Sequence, residues 1–319
     1  MSMTREELQE AARKTFGEAG AADSGRTWEL ISELGFLMLA VPEHQGGLGL
    51  GNDGPATVQR ELGRALVPGP AIAQMLTVTA LAEAGEVELL ERAMAGEVMT
   101  ASLAGTVDGE RLNAVPDADL ASHVLVCGTD RVTLAPMSGA SVTRRSTWDE
   151  TRRLFDVGLA EHGITLADGE SAKTLRGRLD KQLSLALAGD ALGAADAALA
   201  MSVEYLKTRR QFDRPLAMFQ ALKHRCADLK TRLAAAESLF WSRAADPFAS
   251  PVQVGALKAH ATETACLIAE EAIQLHGGIG LTVEHPCHLY LKRAMLDAAL
   301  GGNNDNRAEA AGRSAMTAT

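Results

Sequence analysis

Between residues 222 and 240 the residues Leu222, Cys226, Leu229, Leu233, Ala236 and Phe240 recur at steps of four and three, the spacing of a helix with one buried stripe. Such a helix cannot bury its stripe alone, so other helices must pack on it. The preceding segment offers one, with Leu192, Leu199, Val203 and Leu206 on a shared face. Pro247 and Pro251 break the chain before a third helix from Val252 to about Leu275, and the segment from Pro286 to Leu300 can supply a fourth. Residues 175–319 are therefore expected to form a helical bundle.

Upstream the pattern divides in two. Residues 1–96 read as a helical domain of short helices over 5–19, 26–34, 55–66, 71–84 and 87–95, punctuated by Gly and Pro, with Thr4 and Glu7 spaced as a capping box. Residues 97–174 carry short β-prone runs over 98–103, 123–127, 132–135, 141–144 and 155–159, separated by Gly, Asp and Pro. The expected fold is mainly α with a small β unit. Aromatic residues make up only 4% of the 319, and Ala-rich runs are many, which favours helices packed closely through small side chains.

Charge and cysteine usage exclude several functions. A formal net charge of −10 repels a phosphate backbone, and no Lys/Arg run offsets it, so no nucleic-acid partner is expected. The four cysteines, Cys127, Cys226, Cys266 and Cys287, lack the close pairs of a zinc site or a disulfide framework, which suits a reducing cytoplasm. The N-terminus reads as a helix start rather than a signal peptide. The most apolar stretch, 184–201, contains Asp190 and Asp196, each costly at bilayer depth, and is expected to be a core helix rather than a membrane span.

Two segments hold polar residues and glycines that helix packing does not explain. One is Arg209-Arg210-Gln211-Phe212-Asp213-Arg214-Pro215, the other Gln274-Leu275-His276-Gly277-Gly278-Ile279-Gly280, and each sits where a long helix ends. A guanidinium there can grip a pyrophosphate with forked, charge-assisted hydrogen bonds, while adjacent glycines let backbone N–H groups approach a cofactor. Together they describe a clamp for a dinucleotide's phosphates.

On these residues the chain resembles the acyl-CoA dehydrogenase family, in which an Arg-x-Gln-Phe segment and a Gln-x-x-Gly-Gly-x-Gly segment of one subunit contact an FAD held mainly by its neighbour. The resemblance assigns Arg209, Gln211 and Phe212 to the first segment and Gln274, Gly277 and Gly278 to the second. It extends to Leu34-Gly35-Phe36, to the stretch from Ala40 to Gly49, and to Glu284-His285-Pro286 through Lys292-Arg293. It implies an N-terminal helical domain, a middle β domain, a C-terminal four-helix bundle, FAD as cofactor and a fatty or sterol acyl-CoA thioester as substrate.

The family's reaction needs a carboxylate to remove the α-proton while the β-hydrogen leaves as hydride to the flavin. The commonest base is a Glu followed by Gly-Thr, and the register from Gln274 places Gly301 there, followed by Gly302 and Asn303. A second version places the Glu near Leu183, where Lys181, Gln182, Leu183 and Ser184 include no acid. A Thr-Glu-Pro loop that bonds the flavin is replaced by Ser102-Leu103-Ala104-Gly105-Thr106, and the β unit is about half the size the resemblance implies. The chain is thus similar to the short subunit of heteromeric α2β2 acyl-CoA dehydrogenases of steroid and cholesterol side-chain degradation, whose longer partner supplies the base. Two alternatives stay open: a self-sufficient homo-oligomer with a relocated base among Asp297, Glu284 and Glu204, or a flavin-free scaffold.

Two further patterns are expected to be structural. Gly49-x-Gly51-x-x-Gly54 lacks a leading strand and reads as a turn. His276, His285 and His288 lie close in sequence, yet no Cys or carboxylate pattern completes a site, so no metal is expected.

Overall fold

The computed structural model of the chain describes residues 4–17, 24–103 and 111–317. The capping box forms: the Glu7 amide donates to Thr4 Oγ1 at 3.2 Å and the Thr4 amide to Glu7 Oε2 at 2.8 Å. It opens α1 (Arg5–Phe16), which is followed by α2 (Ser24–Glu33), α3 (Asp53–Arg64), α4 (Ala71–Ala84) and α5 (Val87–Met94). The expected continuation of α1 over residues 18 and 19 lies outside the described residues. Phe16, Ile31, Phe36, Val58 and Leu62 close a core between α1, α2 and α3, with Phe16 edge-on to Phe36 at 5.7 Å.

The middle of the chain forms two small sheets. One has β1 (Met99–Ala101) parallel to β3 (His123–Cys127), with β4 (Arg131–Pro136) and β7 (Ile164–Asp168) antiparallel beyond it. The other is antiparallel, in the order β2 (Arg111–Pro116), β6 (Leu154–Gly158), β5 (Ser141–Arg144). Alternation along β3 sends Val124 and Val126 into the core between the sheets, with Val115 and Phe155, while Leu125 faces the helical core with Leu175 and Leu179. Strands β2 and β7 were not expected from the sequence.

Helix α6 (Gly169–Thr208) runs 40 residues and begins earlier than the expected Leu175. It is long and apolar enough to cross a membrane, but 83% of its most apolar window is buried inside the protein, which makes it the core helix of the molecule. After the short strands β8 (Arg210–Gln211) and β9 (Arg214–Pro215) come α7 (Gln220–Ala245), α8 (Pro251–His276), α9 (Cys287–Ala299) and α10 (Asn304–Thr317). The stripe on α7 is buried as expected through Leu229, Leu233, Ala236 and Phe240. Small residues set the helix spacing: a Cβ on Gly193 of α6 would meet Arg60 O of α3 at 1.8 Å, so the two backbones touch.

A buried ionic cluster ties these layers together. Arg293 of α9 donates to Asp149 Oδ2 at 3.1 Å, to Asp190 of α6 at 3.2 Å, to Thr151 Oγ1 at 2.6 Å and to Val67 O at 3.1 Å. Arg152, in the loop before β6, pairs with Asp190 at 2.9 Å and with Asp297 of α9. Burial works to raise the Asp190 carboxyl, but Arg152 and Arg293 outweigh it and hold it low. For Asp297, burial and the adjacent Asp190 charge push the carboxyl well above the usual range. Its Oδ2 is buried and, among the described residues, has no hydrogen-bond partner.

Candidate cofactor-binding site

The two segments singled out in the sequence sit at the ends of α6 and α8, and Tyr205 joins them. One turn before the end of α6 its ring lies 4.5 Å from the ring of His276, the last residue of α8. Past Arg209 the chain turns back at once: Phe212 and Asp213 both have positive φ, 50° and 60°, the pair that a two-residue hairpin matched to strand twist requires. Arg210 donates to Asp213 O at 2.6 Å and the Leu216 amide to Arg209 O at 2.8 Å, which holds the hairpin. Phe212 stands 85% exposed at its tip, edge-on to Phe219 at 6.2 Å, while the Arg214 guanidinium covers Phe219 at 4.0 Å.

Arg209, Gln211 and Gln274 are all exposed, and among the described residues none of these three side chains has a hydrogen-bond or ion-pair partner. The glycines divide by what the fold asks of them. Gly277 takes φ 64° as the cap of α8, its amide donating to Gln274 O. Gly280 is packed, since a Cβ there would meet Ile273 O at 2.6 Å. Gly278 is required by neither: its φ is not positive and a Cβ would meet nothing within 4 Å. An unpartnered guanidinium, two free amides and an unobstructed backbone suit the phosphate and adenine end of a dinucleotide.

The position expected to hold the base is closed. Gly301 is buried at φ 66°, and a Cβ on it would lie 2.8 Å from Leu187 Cδ1 and 3.4 Å from Leu183 Cδ2. Its amide donates to Leu103 O at 2.9 Å, and Arg307 donates to its carbonyl at 2.6 Å. Lys258, pushed down to about 8 by burial, donates to Ala298 O at 2.7 Å, Gly302 O at 3.0 Å and Asn304 Oδ1 at 3.0 Å, pinning the same loop from below. Beside it a cavity of about 450 Å³ lies between β1, β3 and α6, lined by Ala101, Leu125, Leu179 and Leu183, with Arg176 and Asp180 also on its wall. Residues 104–106, part of the segment expected in place of the flavin-bonding loop, lie outside the described residues.

None of the acids named from the sequence reaches this cavity. Asp297 is fully buried in the ionic cluster, Glu204 is exposed and pairs with Lys207 at 2.6 Å, and Glu284 is exposed. The acid that does line it, Asp180, was missed, because it lies one residue outside the four-residue window around Leu183. Both of its oxygens are held by the Arg307 guanidinium. The histidines are also grouped differently from the sequence: His276 and His285 come together with Cys287, and His288 stays outside.

Comparison with known proteins agrees with this architecture. Residues 2–97 match the N-terminal domain of acyl-CoA dehydrogenase and residues 182–316 its C-terminal domain. The acyl-CoA dehydrogenase IpdE2 of Mycobacterium tuberculosis (strain ATCC 25618 / H37Rv) is 34% identical over 310 residues, covering 93% of this chain and 92% of that protein. Among solved structures, a steroid acyl-CoA dehydrogenase (Tcur3481-Tcur3483, G363A variant) superposes with a TM-score of 0.84 at 27% identity, over 99% of both chains. A chain of the ChsE4-ChsE5 complex from Mycobacterium tuberculosis has the same fold, with a TM-score of 0.79 at 24% identity over 98% of this chain and 92% of that one. With both helical ends matched and a relative aligned along nearly its whole length, the chain belongs to the acyl-CoA dehydrogenase family, whose members bind FAD.

Proposed function

We propose that this chain is a subunit of an FAD-dependent acyl-CoA dehydrogenase in which a longer partner chain holds most of the flavin and supplies the catalytic base, in an α2β2 assembly. Arg209, Gln211, Phe212, Gln274, Gly277 and Gly278 then contact the adenine and pyrophosphate of the partner's FAD. The flavin, when bound, accepts the β-hydrogen of the acyl-CoA as hydride, and a carboxylate takes the α-proton. The observation that carries the reading is a contrast within one molecule: the helix ends at Arg209 and Gly278 are open and unpartnered, while the base position at Gly301 is closed by Leu187 and by backbone hydrogen bonds.

An acyl group of steroid type is supported by one similar solved structure, which is named a steroid acyl-CoA dehydrogenase. The test is the double variant Arg209→Ala/Gln274→Ala in the co-purified complex. Loss of most of its flavin, with the two chains still associated, is the expected result. Unchanged flavin content and activity would leave only the scaffold reading.

Asp180 favours a second reading, as an acid on the cavity wall of a self-sufficient enzyme. Its fork with Arg307 counts against it, because both oxygens are already engaged by a guanidinium that would have to be shared or displaced for the carboxylate to take a proton. If the chain alone dehydrogenates an acyl-CoA and Asp180→Asn abolishes that activity, the base is Asp180 and the shared-site proposal fails.

A further inference from the structure

Where α8 ends and α9 begins, the chain brings together three metal-ligating side chains that the flavin reading does not use. His276 closes α8, a tight turn over Gly277–Leu281 follows, and Cys287 opens α9. The ligand atoms of His276, His285 and Cys287 all lie within 4.8 Å of one another. His276 is 3% exposed and Cys287 is fully buried, while His285 is half-buried and gives the group its edge towards solvent.

The hydrogen bonds orient the group. His276 Nδ1 lies 2.7 Å from Ala272 O, so this nitrogen carries the proton and donates it to the carbonyl. That fixes the tautomer with the lone pair on Nε2, and among the described residues the buried Nε2 has no hydrogen-bond partner. An imidazole held through one nitrogen by a backbone carbonyl, with the other nitrogen bare, is how proteins prepare a metal ligand. Such an atom costs free energy when nothing satisfies it. Cys287 Sγ sits 3.2 Å from Nδ1 of the same imidazole, so the cysteine or the ring must turn for one ion to bridge Sγ and Nε2, and the cysteine's place in the first turn of α9 favours the thiolate that a metal needs. Against this, burial pushes the thiol up to about 12 while it is unliganded, so the proton must leave to solvent as the sulfur–metal bond forms.

We infer that His276, His285 and Cys287 form a binding site for a thiophilic late first-row metal ion such as Zn2+, held by two imidazoles and one thiolate with a fourth position open. Two nitrogens and one sulfur are a borderline-to-soft set that selects such ions over Mg2+ or Ca2+. Ligand atoms around a tetrahedral zinc stand roughly 3.5 Å apart, so the group must close by about 1 Å. His285 can supply part of that movement, because the hydrogen bond that its imidazole accepts from the Cys287 amide is long at 3.4 Å. A metal here would staple the end of α8 to the start of α9, on either side of the Gly277–Gly278 turn.

The test uses the full chain stripped of metal and titrated with Zn2+, and with Co2+ as a spectroscopic probe. One equivalent bound per chain with a thiolate-to-cobalt charge-transfer band is the expected result. Cys287→Ser should abolish the band, and His285→Gln, on the solvent edge, should weaken binding by about tenfold or more. Cys127→Ser and Cys226→Ser should change nothing. No binding, binding without the thiolate band, or binding that survives His285→Gln unchanged would overturn the site. Flavin content plays no part in these readings, so they stand apart from the shared-flavin proposal.

Discussion

The three glycines after Gln274 separate structure from ligand binding by their response to a single methyl. Gly280→Ala places a Cβ 2.6 Å from Ile273 O and should lower stability by about 1–3 kcal/mol, seen as an earlier denaturation midpoint. Gly278→Ala meets open space at an ordinary φ, so the folded chain should be unchanged or slightly more stable, while flavin retention in the complex falls. Gly301→Glu tests the opposite case. Restoring a carboxylate at the family's base position forces a side chain into φ 66° and against Leu187, so it should cost about 1–3 kcal/mol in a denaturant titration and yield no dehydrogenation. Activity from Gly301→Glu would mean that the loop can open and that the site is less closed than its hydrogen bonds indicate.

Between elements, the buried cluster of Arg152, Arg293, Asp149, Asp190 and Asp297 holds the bundle to the β unit, and two of its three carboxyl groups should behave differently. Asp190 faces both arginines, so Asp190→Asn leaves buried positive charge unmatched and should cost about 3–5 kcal/mol. Burial and the Asp190 charge push the Asp297 carboxyl up, so the uncharged Asp297→Asn should cost less than Asp190→Asn. A raised carboxyl binds its proton more tightly folded than unfolded. Its stabilising share is therefore fully present below the ordinary value of 3.8 and is lost as pH rises towards the folded value. Denaturation measured across pH should show a shallower decline above about pH 4 in Asp297→Asn than in the parent chain. The helices of this layer were legible because the apolar stripes of α6 and α7 are regular and Pro247 and Pro251 mark the break before α8. Strand β2 was not, since Arg111–Pro116 ends in proline and bulges at Ala114, whose φ is 54°. Helix α10 has no buried residue to give it a stripe. At the site, the open helix ends were readable as short motifs, but Asp180 and Cys287 reach their partners only through folding, the one beside Arg307 and the other beside His276.

Over the whole molecule, the family's helical ends, a small β unit and a closed position at Gly301 are the features behind our proposal that another chain completes the chemistry. The exposed Phe212, Leu281 and Val283, at 85%, 78% and 83%, lie in or just beyond the two segments assigned to the flavin, where a partner would cover them. The decisive measurement is the visible spectrum, with acyl-CoA-dependent dye reduction, of the purified chain alone and after co-expression with a longer member of the family. The expected result is a colourless, inactive chain alone and a yellow, active complex. A yellow chain that is bleached by acyl-CoA without any partner would contradict the shared site and place the base in this chain.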